Sequence, residues 1–530
     1  MVIKILLLVV FFAAMMGVGI YSKRHASDVD GFVLGGRHAG PWITAFAFGT
    51  SYFSAVIFVG YAGQFGWRFG LASTWIGLGN AFIGSLLAWV VLGRRTRIMT
   101  QHLDSRTMPD FFGLRYQSDA LKVVASVIVF IFLIPYTASL FNGLSRLFTM
   151  AFPGIDYSVC VIVMAVFTCI YVVIGGYMAT AINDFIQGII MIFGIVAVIA
   201  AVLNSQGGFT EAVAKLSNET TATAAGTVFN GAYTSFFGPD VFFLSVVVIL
   251  TSLGTWGLPQ MVNKFYAIKD EDAIKKGTVI STVFAIVVAG GCYFLGGFGR
   301  LYSDAIECQA DGVTPIYDSI VPSMLEKLPD ILIAVVLVLV LSASMSTLSS
   351  LVLTSSSTIT LDLIAPAMKG KMKEKGKMTV MRLFILFFVV ISAVIAIIQA
   401  KSNVVFIAQL MGVSWGALAG AFIAPFLYGL FWKKTTKAAC WVSYVTGVTL
   451  SVVQLIKSLT GFSFGVDILD NVIFKTSLHS GAIAMILGLI IVPVISLITP
   501  KMNKDEVDEM FTCYDKKTVI NVTKSLGEQK

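Results

Sequence analysis

Long apolar runs decide what this chain can become. A helix that crosses a bilayer core needs roughly 20 mostly apolar residues. Runs of that kind lie at about 2–21, 41–66, 69–93, 121–149, 157–175, 185–203, 241–259, 277–300, 330–358, 379–400, 404–432, 440–458 and 481–499. That predicts about 13 transmembrane spans, with ends good to a few residues. Of the 530 residues, 57% are hydrophobic and 12% charged. Soluble domains hold about 45–50% and about 25%. The excess of apolar surface suits lipid, and the fold class is an all-α polytopic membrane protein. The first run has a thin basic start, and no small-residue cleavage site follows it. It reads as a retained span rather than a signal peptide.

The loops give an orientation. One alternate set carries Lys23, Arg24 and Arg37, then Arg94, Arg95, Arg97, Arg106 and Arg115, then Lys264, Lys269, Lys275 and Lys276. It continues with Lys369, Lys371, Lys373, Lys375 and Lys377, then Lys433, Lys434 and Lys437, then the tail from Lys501. The other set holds little beyond Lys215, Lys327, Lys401 and Lys475. Basic loops stay cytoplasmic, so the N-terminus is expected outside and the C-terminus inside a plasma (cytoplasmic) membrane. The net charge of +8 is spread over these clusters and does not point to nucleic acid. The six cysteines make no CxxC or Cys/His ligand spacing and read as packing residues. The outer segments 204–240 and 301–329 are too short for a catalytic domain.

Three polar features stand out. Ala47–Ser54, midway in the second span, and Thr251–Pro259, in the seventh, concentrate Gly, Ser, Thr and Pro. Unwound backbone at membrane depth survives only inside a protein cavity. Two breakable spans, five apart and oppositely directed, predict an inverted five-plus-five helix repeat with the breaks facing each other. Tight helix packing is the other explanation of such residues. The ninth span carries Ser342, Ser344, Ser346, Thr347, Ser349 and Ser350. Ser346, Ser349 and Ser350 share one helix face. They suit a hard cation, which takes oxygen donors, or they bond back to their own helix. Asp184 opens the sixth span, either as a favourable charge on the helix dipole or as a functional acid at membrane depth.

Leu34-Gly35-Gly36-Arg37, Thr50–Ser54, Ile174-Gly175-Gly176-Tyr177-Met178-Ala179, Met345-Ser346-Thr347-Leu348-Ser349 and Gly429-Leu430-Phe431-Trp432-Lys433-Lys434 together resemble the sodium/solute symporter family. The resemblance runs from about residue 2 to 500. It implies a transporter core with a first span and loop at 1–40, a first repeat at 41–203 and an outer loop at 204–240. A second repeat at 241–432, two flanking spans at 433–500 and a cytoplasmic tail at 501–530 complete it. It further implies a sodium site made by the carbonyls of Thr50, Phe53 and Ala343 and the hydroxyls of Ser346 and Thr347. A second sodium site, as some members have, would use Asp184, Ser346, Ser349 and Ser350.

Departures narrow the solute. Thr74-Trp75 stands where the family's sugar carriers place Glu-Trp. Tyr52, Thr251 and Thr255 replace an aspartate, a tryptophan and a tyrosine of its proline carrier, while Tyr136 matches one of that carrier's tyrosines. The runs Ser51–Ala55 and Gly66–Gly70 look closer to the pantothenate and small-anion carriers. Depth and polarity select Ser54, Gln64, Tyr136, Thr251, Thr255, Trp256 and Gln409 as solute contacts. The expected function is sodium-coupled symport of a small organic solute by alternating access, a carboxylate or amino acid rather than a sugar. A sodium/proline symporter is one alternative. A proton-coupled carrier and a transporter-like solute sensor are others. Sodium is the coupling ion, with no other cofactor, no enzymatic activity and no obligate protein partner expected. A channel would show rings of charge or carbonyls along a pore. A membrane enzyme would cluster acids or histidines, whereas His25, His38, His102 and His479 lie apart, in loops or at span edges.

Overall fold

The computed structural model describes residues 2–22, 28–222, 228–308, 315–326, 328–369, 371–402 and 407–515. Nearly all of it is helix. Among the described residues, one antiparallel pair, Thr221–Ala222 with Val228–Phe229, forms the sheet. Among the described residues, ten helices are long and apolar enough to cross a membrane, or eleven if the bent pair Val241–Trp256 and Pro259–Ala267 is one span. The sequence predicted about 13, and the shortfall has a physical origin. Tyr157–Ser205 has 49 residues and Val56–His102 has 47. At 1.5 Å per residue either would exceed twice the bilayer core of about 30 Å. Each contains a glycine off the helical path. Gly176 has φ 55 and ψ −149, and Gly70 has φ 61 and ψ −138. Residues with a Cβ rarely adopt this region. Crowding reinforces the choice: a Cβ would lie 2.8 Å from the Phe32 carbonyl oxygen at Gly176 and 2.1 Å from that of Tyr233 at Gly70.

Both breakable segments are broken. The Pro41–Tyr52 helix stops where Phe53 turns extended (φ −93, ψ 120), and a π-turn at Val56–Tyr61 resumes the span. The Val241–Leu253 helix tightens through Gly254–Trp256. Leu258 is then extended (φ −86, ψ 121) and Pro259 starts the Pro259–Ala267 helix. Proline fits a helix start because the missing N–H has no partner there anyway. The two halves meet at 42°.

The helix Asp330–Thr358 is central. Every residue from Leu339 to Thr358 is buried, so this stretch has no face for lipid. It packs on the helices Tyr157–Ser205, Asp119–Ala151, Pro41–Tyr52 and Glu374–Ser402. The Val2–Ser22 helix is peripheral and exposes Leu6, Val9, Val10 and Ile20.

Two charged residues are not where the sequence placed them. Lys264, expected in a cytoplasmic loop, lies inside the Pro259–Ala267 helix and is 2% exposed. Its short helix mixes Gln260, Asn263 and Lys264 with apolar residues, and tertiary packing buries it on all sides. Asp184, expected at the start of a span, sits eight residues beyond the Gly176 break and is fully buried. Two helical turns from the break, it lies beyond reach of the dipole effect, which fades within the first turn.

Close helix crossings depend on glycine. A Cβ at Gly66 would stand 1.9 Å from the Gly296 carbonyl oxygen, whereas one at Gly17 would meet nothing within 4 Å. Overpacking typically costs about 1–3 kcal/mol and more where backbone cannot yield. Gly66→Val is expected to lower the melting temperature and the monodisperse fraction in detergent, and Gly17→Val to change neither. Size-exclusion and thermal-unfolding profiles of both variants check this.

Candidate functional site

The break at Phe53 leaves carbonyl oxygens without helical N–H donors, as any helix end does. The Asp330–Thr358 helix meets them with hydroxyls. Ser346 Oγ donates to the Thr50 carbonyl at 2.8 Å and lies 3.5 Å from that of Ala343. Thr347 Oγ1 lies 3.2 Å from the Thr50 carbonyl, 3.3 Å from those of Ser51 and Phe53, and 3.1 Å from that of Ala343. All these residues are buried. A hydroxyl carries one hydrogen. Two hydrogens therefore face the carbonyls of four residues, and acceptors are in surplus. A buried excess of oxygen lone pairs favours a hard cation. The five residues expected at the first cation site thus come together, with the Ser51 carbonyl beside them.

The second expected set arranges itself differently. Ser346 already faces Thr50, and Ser349 Oγ donates back to the Ser346 carbonyl at 2.9 Å. Asp184 and Ser350 instead meet at Lys264. Its Nζ lies 3.4 Å from Asp184 Oδ2 and donates to Ser350 Oγ at 3.0 Å. Ser350 Oγ is 2.9 Å from Ser51 Oγ, and the Tyr177 ring lies 5.4 Å from the ammonium. Removing one member of such a buried ion pair typically costs about 3–5 kcal/mol, since the other charge is left uncompensated. The apolar run of this span ends at about residue 259, which puts Lys264 in the loop beyond; Pro259 as a helix start is the local hint that helix continues there, but nothing in it announces burial.

The expected solute contacts divide. Ser54 and Tyr136 come together with a residue that sequence reasoning missed, Trp415 of the Ile407–Phe431 helix. The Tyr136 hydroxyl faces Ser54 and the Trp415 indole. None of Ser54 Oγ, Tyr136 Oη and Trp415 Nε1 reaches hydrogen-bond geometry with a partner, although all three are buried. Tyr52 stacks on Trp415 with centroids 6.0 Å apart, and its hydroxyl donates to the Thr251 carbonyl at 2.5 Å. That bond ties one broken span to the other. A Cβ at Gly254 would lie 2.7 Å from the Trp415 ring, so the second break also abuts the indole. Unpaired buried polar groups are costly unless something satisfies them, and here three of them line one aromatic corner.

The remaining expected contacts point elsewhere. The Thr251 hydroxyl bonds Asn80 and the Val247 carbonyl. Thr255 Oγ1 reaches the Gly84 carbonyl at 3.0 Å and Trp256 Nε1 that of Ile83 at 3.0 Å. The Gln409 carbonyl accepts from Ser477. Gln64 is buried with an unpartnered Oε1, and its neighbour Gly63 packs on Tyr317 and Ile320. Among the described residues, no group of three or more His, Cys, Asp or Glu could hold a metal.

The family model described as "Sodium:solute symporter family" matches residues 32–447. The chain belongs to the sodium:solute symporter family. Members couple solute movement to sodium, and this symporter has the inverted five-plus-five helix core with flanking helices. It is 28% identical to the osmoregulated proline transporter of Bacillus subtilis over 93% of this chain and 94% of that one. It is 29% identical to a sodium/proline symporter of Staphylococcus aureus over 85% of each. A solved structure of a Na+-coupled sialic acid symporter shares the fold, with TM-score 0.71 at 16% identity, covering 95% of this chain and 99% of that one.

Tyr52→Phe removes the hydroxyl link between the symporter's two broken spans. A hydrogen bond of this kind contributes about 0.5–1.5 kcal/mol. The variant is expected to unfold at a slightly lower temperature than the parent, by about 1 °C for a chain of this length, with its size-exclusion profile unchanged. Differential scanning fluorimetry on purified protein reads the shift.

Proposed function

We propose that this symporter carries a small neutral amino acid, with L-proline the first candidate, into the cell together with sodium. The supporting observation is the corner formed by Ser54, Tyr136 and Trp415 between the two breaks. Its side chains offer polar atoms and aromatic faces but no formal charge, which suits a solute whose own charges cancel. The two curated relatives are named for proline. Residues Tyr52, Thr251 and Thr255, which differ from the proline carrier's pattern, form interspan bonds here. Differences at Thr251 and Thr255 therefore alter how the spans are tied, while Tyr52 also stacks on Trp415 and so bears on the corner itself. A small carboxylate is the second reading, since its charge would be balanced by the nearby coupling ion.

In this reading sodium binds the carbonyls of Thr50, Phe53 and Ala343 and the hydroxyls of Ser346 and Thr347. It joins the first broken span to the Asp330–Thr358 helix, and so completes the corner against which the solute rests. The coupling is reciprocal: each ligand raises affinity for the other. One charge moving inward gains about 2.3 kcal/mol per 100 mV. That equals roughly a 50-fold gradient of a neutral solute, at about 1.4 kcal/mol per tenfold. The topology that fits has thirteen spans, with the long helices divided at Gly70 and Gly176, repeats at 41–203 and 241–432, the N-terminus outside and the C-terminus in the cytoplasm.

Uptake of labelled L-proline into proteoliposomes tests the reading. Replacing external sodium by potassium at fixed pH is expected to abolish concentrative uptake; persistence would favour proton coupling. Ser346→Ala should raise the sodium concentration for half-maximal uptake about tenfold, the equivalent of about 1.4 kcal/mol of lost binding. An unaltered sodium requirement in that variant would count against the site. Uptake of labelled pantothenate or lactate in preference to proline would move the solute class to carboxylates.

A further inference from the structure

The buried ion pair of Lys264 and Asp184 has no part in that mechanism. Lys264 projects from the inner half of the second broken span, and Asp184 from the helix that follows Gly176. Both side chains are almost fully buried, at 3% and 1% exposure. Around the ammonium stand a carboxylate oxygen at 3.4 Å, the Ser350 hydroxyl at 3.0 Å and the face of Tyr177 at 5.4 Å. Asp184 Oδ1 has no hydrogen-bond partner, so the ammonium is the charge that compensates this acid. A carboxylate, a hydroxyl and an aromatic face make a site for a monovalent cation, and the cation in it is covalently part of the chain.

We propose that Lys264 is a built-in second cation, so that the transporter binds one sodium ion per cycle. The claim rests on the sodium reading above and deepens it. An unprotected Asp184 would leave a buried negative charge beside Ser350, which a second sodium ion could neutralise. With the ammonium in place, that charge is already balanced and no diffusible ion is needed. The same ammonium reaches the first cation site through a chain of hydroxyls. Lys264 bonds Ser350, Ser350 lies 2.9 Å from Ser51 Oγ, and the Ser51 carbonyl lies 3.3 Å from Thr347 Oγ1. Lys264 is therefore also a positioning residue. It holds the inner half of one broken span against the helix that supplies the sodium hydroxyls, whether or not sodium is bound.

Equilibrium binding of radioactive sodium to the purified full-length protein, counted per chain, tests this. The parent protein is expected to show one site. Lys264→Ala is expected to show two, the additional one disappearing when Asp184→Asn is combined with it. Asp184→Asn/Lys264→Met keeps a neutral pair of similar size, and one site is expected there too. This double variant and the parent count decide the matter if Lys264→Ala does not fold. Two sites in the parent, or a folded Lys264→Ala that still binds one, overturn the proposal and leave sodium symport standing. One site in the parent that Asp184→Asn alone abolishes also overturns it. No sodium binding to the parent at all overturns both.

Discussion

Backbone carbonyls set free by a broken helix, and hydroxyls brought to them by an unbroken one, organise the centre of this transporter. The first half of the second span ends at Tyr52, and Phe53 leaves the helical path. In lipid such an ending would be ruinous, because nothing there could satisfy the freed oxygens. Inside the bundle, Ser346 and Thr347 reach four carbonyls between them. The supply of hydrogens stays below the demand of the acceptors. An interface left short of positive charge is suited to a cation that can bind and leave, since its protein partners hold together through two hydroxyl bonds in the meantime.

The rest of the core follows from that choice. A helix carrying so many hydroxyls must be enclosed by other helices, and Leu339–Thr358 is. Enclosure demands close approach, which Gly194 supplies: a Cβ there would lie 2.6 Å from the Leu339 side chain. The second broken span lies against the first through the Tyr52 hydroxyl and the Thr251 carbonyl. Trp415 fills the angle between them, against Tyr52, Tyr136 and Gly254. Movement of either half-helix would therefore disturb both the carbonyl–hydroxyl cluster and the aromatic corner. That shared backbone is a physical route by which one ligand can influence the other, in the sense of a coupling free energy between two sites.

Charge is used sparingly in this interior, and it meets either an opposite charge or, as at the buried Arg115, the carbonyls of Gly429 and Trp432. Lys264 and Asp184 neutralise each other on adjoining helices. Nearer the ends of the bundle, Lys122 lies 2.5 Å from Asp110 and 3.5 Å from the buried Asp362, which also accepts from Thr107 at 2.6 Å. Arg37, at φ 60, donates to the carbonyls of Ser105 and Tyr266. Each burial of charge is costly alone and tolerable with a partner. These directional contacts help to fix the register of helices in an apolar bundle.

Local composition decided the elements. Long apolar runs dictated helices in a membrane, Gly-Ser-Thr-Pro stretches at 47–54 and 251–259 dictated where helices break, and the spacing of Ser346, Ser349 and Ser350 dictated a common face. These follow from hydrophobicity, backbone freedom and the helical repeat, which are properties of residues and their near neighbours. The burial of Lys264, the meeting of Trp415 with Tyr136 and Ser54, and the turning of Thr255 and Trp256 toward another helix were not legible there. A lysine five residues beyond the end of an apolar run looks like a loop residue until a second chain segment, bearing Asp184, covers it. Which side chains share a corner depends on how helices distant in sequence rotate about their axes, and that rotation is set by packing among all of them at once.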